Sequence, residues 1–264
     1  MASLGDQSDN GLATVDVEDA TISVEIEAGS FPVIDYGVGE VVLLLHGLPD
    51  SRHLWRYQVP ALADAGFRVI APDLRGFGDA PRPESVDAYK YEHSVRDVIE
   101  ILDAMEIDSV RLVGHDWGMA VAWRVAINHP DVVDRLVALS VGAPGNPKAS
   151  TIHQREKSWY IDFFQKEGVA EAWLKHDDWK LFREWTREDG DFETYISHLS
   201  RPGALTAALN IYRANNMSVT KPPAETESYS PRVSVPTLGV WSDGDHYLTE
   251  GHLTGSGAVV DALW

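Results

Sequence analysis

The 264-residue sequence contains no cysteine, which excludes disulfides, thiolate metal sites and a cysteine nucleophile. Lysine is scarce: 7 lysines and 15 arginines face 24 aspartates and 17 glutamates, for a net charge of −19. A surface this acidic repels nucleic acid and anionic membrane, so neither is an expected partner. Excess acid with little lysine suits a salt-rich cytoplasm, where counterions screen self-repulsion; an ordinary acidic bacterial enzyme accounts for it equally well. No stretch approaches the roughly 18 consecutive apolar residues of a membrane-spanning helix. The N-terminus lacks the basic and apolar regions of a secretory signal, and a cytoplasmic location is the resulting expectation. What the chain does have is apolar content, 44% of residues, enough for one sizeable core.

Residues 1–20 are acidic and small, with Asp6, Asp9, Asp16, Glu18 and Asp19, and read as a mobile tail. Residues 21–28 (TISVEIEA) alternate at period two, like a half-exposed strand, with 32–36 as a hairpin partner. The run VVLLL at 41–45 suits a strand buried on both faces. Further strands are expected at 67–71, 110–113, 136–141 and 237–241, and helices at 56–65, 94–105 and 121–128. Alternating strands and helices imply an α/β fold, a mostly parallel sheet flanked by helices, with site residues gathered at one edge of the sheet. From 145 to 220 the pattern turns helical and aromatic, as expected of an inserted helical cap, and the proline-rich stretch 221–236 reads as the return linker. The expected organisation is thus a tail (1–20), a first core part (21–144), a cap (145–220) and a second core part (221–264).

Two motifs carry chemistry. Gly114, His115, Asp116, Trp117 and Gly118 (GHDWG) follow an apolar strand and precede a helix. A G-x-nucleophile-x-G elbow needs glycine on both sides because the turn is tight, and it holds its middle residue out near a helix N-terminus that favours an anion. Asp116 is therefore the candidate nucleophile. His46, Gly47, Leu48 and Pro49 (HGLP) follow the VVLLL strand. In such a loop the Leu48 N–H, paired with the Trp117 backbone N–H, would stabilise charge on an ester oxygen. His46 reads as structural, holding the loop.

The elements HGLPDSRHLWR, APDLRGFGDAPRP and LVGHDWGMAVAW resemble the epoxide-hydrolase and haloalkane-dehalogenase branch of the α/β-hydrolase superfamily, from about residue 21 to the C-terminus. The resemblance implies an eight-stranded, mostly parallel sheet with a helical cap. It also implies two cap tyrosines over the nucleophile, and Tyr160 and Tyr212 match the family's local patterns; simple cap packing is the alternative for each. Phenol donors suit an epoxide, whose oxygen becomes an alkoxide as the ring opens. Leu48 stands where many haloalkane dehalogenases have Asn, and Trp117 where a fluoroacetate dehalogenase has Arg, so both favour epoxide hydrolysis. The family pattern selects Asp245 as the acid of a triad, with Asp243 as runner-up.

The departure is the base. The family's histidine is expected on a loop some way beyond the acid, yet only His246 and His252 follow, and both look too near Asp245 in sequence to reach back. His115 is expected to point beneath the elbow. A truncated chain, lacking the last strand and helix, is the expectation. The resemblance implies opening of an epoxide to a diol through an Asp116 ester, with a small apolar epoxide or halide substrate and water, and no cofactor or metal. A haloalkane dehalogenase and a degenerate hydrolase kept as a binding protein are the alternatives, and a homodimer is left open.

Overall fold

The run EVVLLL forms β3 (Glu40–Leu45), and the computed structural model shows why it is apolar throughout. Leu43 and Leu45 face one core cluster while Val42 and Leu44 face another, so the strand is covered on both sides. The structure describes residues 13–187, 190–220 and 231–264. Around β3 lie β1 (Thr21–Ile26), β2 (Gly29–Gly37), β4 (Phe67–Pro72), β5 (Val110–His115), β6 (Val133–Leu139) and β7 (Thr237–Val240). Their order is β1-β2-β4-β3-β5-β6-β7. The first two strands form an antiparallel hairpin, β2 runs antiparallel to β4, and the remaining pairs are parallel. The alternating TISVEI segment is the outer strand of that hairpin, with Val24 buried and its neighbours wet.

Helices cover both faces. α1 (Gln58–Asp64) packs against β4 and β2. α2 (Tyr91–Ala104) buries Ser94, Val95, Val98, Ile101 and Leu102, the one-sided spacing of an amphipathic helix. α3 (Trp117–Asn128) lies against β5, β3 and β6 and is buried along most of its length. The expected single helix over 56–65 is instead a 3-10 turn at Arg52–Arg56 followed by α1.

Between β6 and β7 the chain makes α4 (Ile152–Lys157), α5 (Tyr160–Phe164), α6 (Val169–Trp185), α7 (Phe192–Leu199) and α8 (Ala204–Ala214). After β7 comes α9 (Glu250–Thr254). No helix among the described residues is long and apolar enough to cross a membrane.

One expectation changes. Residues 13–20 are not a tail: Val15, Val17 and Ala20 are buried, and the Val15 N–H donates to the Arg56 carbonyl at 3.1 Å. The remaining expected tail residues, 1–12, and the expected linker residues 221–230 lie outside the described residues. The sheet has seven strands among the described residues, where the resemblance implied eight and the last was expected to be lacking. Beside the start of β7 runs the segment from Val259 to Leu263: the Asp261 N–H donates to the Val233 carbonyl and the Thr237 N–H to that of Leu263, both at 2.8 Å.

Candidate active site

A single residue separates β5 from α3. Asp116 makes the turn at φ 51°, ψ −123°, a conformation that costs on the order of 1–3 kcal/mol and persists only where neighbours impose it. Glycines permit it. A Cβ on Gly114 would lie 2.6 Å from Met119 Cα. One on Gly118 would collide with the Leu45 and His46 carbonyls, and one on Gly47 with the Asp116 carboxylate. The loop after β3 therefore closes directly onto the elbow.

The outcome is a held carboxylate. The Leu48 N–H donates to Asp116 Oδ1 at 2.8 Å, and the Trp117 backbone N–H donates to the same carboxylate. Burial, the largest influence, raises the Asp116 pKa; His115 and the two N–H groups oppose it, and Asp245 adds to it. Pro49 follows Leu48 through a cis peptide and lines the cavity. His46 is fully buried behind the loop: Nε2 accepts the Leu74 N–H at 3.0 Å, so Nδ1 carries the proton toward the Gly47 carbonyl at 3.2 Å. Burial lowers its pKa to about 4, and it is neutral at pH 7.

A cavity of about 590 Å³ opens above, lined by Leu48, Pro49, Asp116, Trp117, Tyr160, Tyr212 and Asp245 among others. The residues singled out in sequence for chemistry thus share one space. Tyr160 opens α5 and Tyr212 lies in α8; both are buried, with ring centroids 6.2 Å apart. Tyr212 stands edge-on to Trp117 at 4.6 Å. Burial first pushes both phenols far above their ordinary pKa, followed by the Asp116 charge for Tyr160 and by Tyr160 and then Asp116 for Tyr212, so both hydroxyls remain protonated donors. The Trp117 indole N–H is buried with no acceptor at bonding geometry, yet close enough to the Tyr212 hydroxyl to oppose that rise.

Asp245 follows β7. Its Oδ1 accepts the Tyr247 and Leu248 N–H groups, each at 2.8 Å. Asp243 is exposed, as a turn residue should be. Histidine placement corrects one expectation. His115 is among the residues that line the cavity. His246, after β7, and His252, on α9, both line the cavity, although both were expected to lie too near Asp245 in sequence to reach it. The His252 Nδ1 accepts the Gly142 N–H at 3.0 Å, which leaves the proton on Nε2. Burial lowers its pKa to about 4, with Asp245 and a Ser140 backbone bond opposing.

A family model for the alpha/beta hydrolase fold matches residues 40–255. The chain belongs to the α/β-hydrolase superfamily. Within it the likeness runs to epoxide hydrolases. AB hydrolase superfamily protein YfhM of Bacillus subtilis is 34% identical over 80% of this chain and 76% of its own length. Epoxide hydrolase A of Mycobacterium tuberculosis is 34% identical over 81% of this chain, which spans only 63% of that relative. A solved structure described as a novel epoxide hydrolase of this superfamily, from metagenomes of hot environments, superposes with a TM-score of 0.79 at 29% identity, covering 92% of this chain and 89% of that one.

In this hydrolase the cavity holds residues that sequence reading missed. Tyr247 packs 5.7 Å from Tyr160, and its hydroxyl donates to the Trp185 carbonyl at 3.0 Å. Tyr195 hydrogen-bonds Asp50, whose pKa burial raises to about 6. Tyr91 and Arg124 line a further wall. Asp50 directly follows HGLP and Tyr247 lies two residues after Asp245, so adjacency to a motif was the available signal. Arg124 carried none.

Proposed function

We propose that this hydrolase opens an apolar epoxide through an ester on Asp116. One oxygen of Asp116 attacks a ring carbon. The new C–O ester bond forms as the ring C–O bond breaks, and the departing oxygen takes a proton from Tyr160 or Tyr212, giving a hydroxyalkyl ester; water restores the phenol. Water then adds to the ester carbonyl and releases the diol. The observation that carries this reading is the meeting of two protonated, buried tyrosines with a carboxylate already held by two backbone N–H groups. The Leu48 and Trp117 N–H groups that hold the carboxylate in the resting state are the kind of donors an oxyanion formed there would need. The α4–α8 insertion serves as the cap. The tyrosine pair favours an epoxide over an alkyl halide, because a halide leaving group has no use for a proton donor.

Incubation with a terminal aryl epoxide, followed by intact mass and peptide mapping, tests the reading. One adduct per chain on the peptide containing Asp116, or diol in solution, is expected. Chloride release from alkyl chlorides without any reaction of epoxides would replace it with a dehalogenase.

A further inference from the structure

One buried donor at the cavity has nothing to bond. Among the described residues, the buried side-chain donors without a partner are on Trp55, Arg82, Trp117, Trp185 and Arg213, and of these residues Trp117 alone lines the Asp116 cavity. Buried donors are normally satisfied, so one left idle at a reacting centre suits a partner that arises only during the reaction. The Trp117 ring is held in place. It is buried, with Tyr91 tilted against it at 5.8 Å and Tyr212 edge-on at 4.6 Å, and its backbone N–H is committed to Asp116.

The group beside the indole N–H is the Tyr212 hydroxyl, and this sets the two phenols apart. Burial, Tyr160, Asp116 and Tyr91 all disfavour charge on the Tyr212 oxygen, and the indole N–H opposes them. For Tyr160, burial, Asp116, Tyr247 and Asp245 disfavour the anion, and no donor opposes them. Trp185 packs on Tyr160 at 5.2 Å, but its indole N–H meets no acceptor and the residue lies outside the cavity lining. A phenolate formed at Tyr212 has a donor waiting; one formed at Tyr160 has none.

We propose that Tyr212 is the phenol that gives its proton to the departing oxygen, and that the Trp117 indole N–H holds the phenolate so formed. This rests on the epoxide reading above and decides between its two donors. As the ring C–O bond breaks, the oxygen takes the Tyr212 proton, and the O–H electron pair stays on Tyr212 until water returns a proton. Asp116 gives up its charge to the ester in the same step. The negative charge thus passes from a carboxylate held by the Trp117 backbone N–H to a phenolate held by the indole N–H of the same residue. Tyr160 donates a hydrogen bond and keeps its proton. Trp117 is a positioning residue for Tyr212, and its bond forms only as the transition state develops. Such a bond speeds the step without tightening substrate binding.

The test replaces Trp117 by β-(3-benzothienyl)alanine, which keeps both fused rings and puts sulfur where the N–H was. The probe is a terminal aryl epoxide. The reading is the rate of adduct formation on Asp116, by intact mass, across epoxide concentrations. The maximal rate should fall by about tenfold or more, as for loss of one donor, with the half-saturating concentration unchanged within about twofold. In a Tyr212→Phe background the replacement should cost nothing further, while in a Tyr160→Phe background its full factor should remain. Trp117→Phe, with circular dichroism to check the fold, should give the same pattern. A parental maximal rate, or the same loss in the Tyr212→Phe background as in the wild type, would overturn the proposal. A wild type that forms no adduct overturns the epoxide reading and this proposal with it; a reacting wild type whose Trp117 and Tyr212 losses simply multiply overturns this proposal alone.

Discussion

The Leu48 N–H and Asp116 Oδ1 meet at 2.8 Å although 68 residues separate them in sequence. This one bond ties the loop after β3 to the elbow after β5 and holds Oδ1 of the carboxylate that the proposed reaction uses.

Asp116→Asn should abolish adduct formation with epoxides, because an amide is a far weaker nucleophile. Intact mass after short incubation reads this, with slow deamidation back to Asp followed in parallel. An Asn variant alkylated at the parent rate would dismiss the elbow assignment.

Replacing Tyr160 or Tyr212 by Phe should slow adduct formation by about tenfold or more, the effect of losing one donor to the developing alkoxide. The double variant should be slower than either. Circular dichroism checks that the packed aromatic cluster survives, since Tyr160 also touches Phe164, Trp185 and Tyr247. Parental rates in the double variant would reduce both residues to packing.

Adduct formation should have an acid limb. Burial holds the Asp116 pKa above its ordinary 3.8, so the reactive anion is lost as pH falls through a value higher than that of a free aspartate. A rate profile between pH 3 and 8 on the wild type measures the inflection, and one at or below 3.8 would contradict the desolvated setting.

Stability should also respond to His46. Its folded pKa is about 4 against an ordinary 6.5, so between those values the unfolded chain binds more protons than the folded one. Stability contributed by neutral His46 is present above about pH 6.5 and is lost as pH falls toward 4, by up to about 3 kcal/mol at 1.36 kcal/mol per pH unit. Denaturant melts of wild type and His46→Gln at several pH values should show their difference shrinking on acidification. A pH-independent difference would mean His46 is not held neutral.

The two half-reactions should come apart. The His252 Nδ1 lone pair is occupied by the Gly142 N–H, which leaves no basic nitrogen of that ring for water. General-base catalysis contributes about 10²–10⁴-fold, so without it the ester should accumulate while little diol appears. Sustained diol release over many turnovers by the 264-residue chain would require a base among His115, His246 and a repositioned His252.

Much of this was legible in the chain itself. Apolar runs bounded by turns marked β3, β4, β5 and β6, because a strand buried on both faces must be apolar throughout. Gly114 and Gly118 marked the elbow, because only glycine leaves room for carbonyls that close. The twofold spacing of residues 21–26 marked a strand with one wet face. Local chemistry of this kind is written in adjacent residues. Tertiary structure decided what depends on chain segments meeting. Residues 13–20 looked like a tail since their three buried side chains are few and scattered, and only packing against the Trp55 and Val59 side revealed a core. The position of His252 in the cavity was hidden because sequence distance from Asp245 says nothing about the turn that α9 makes.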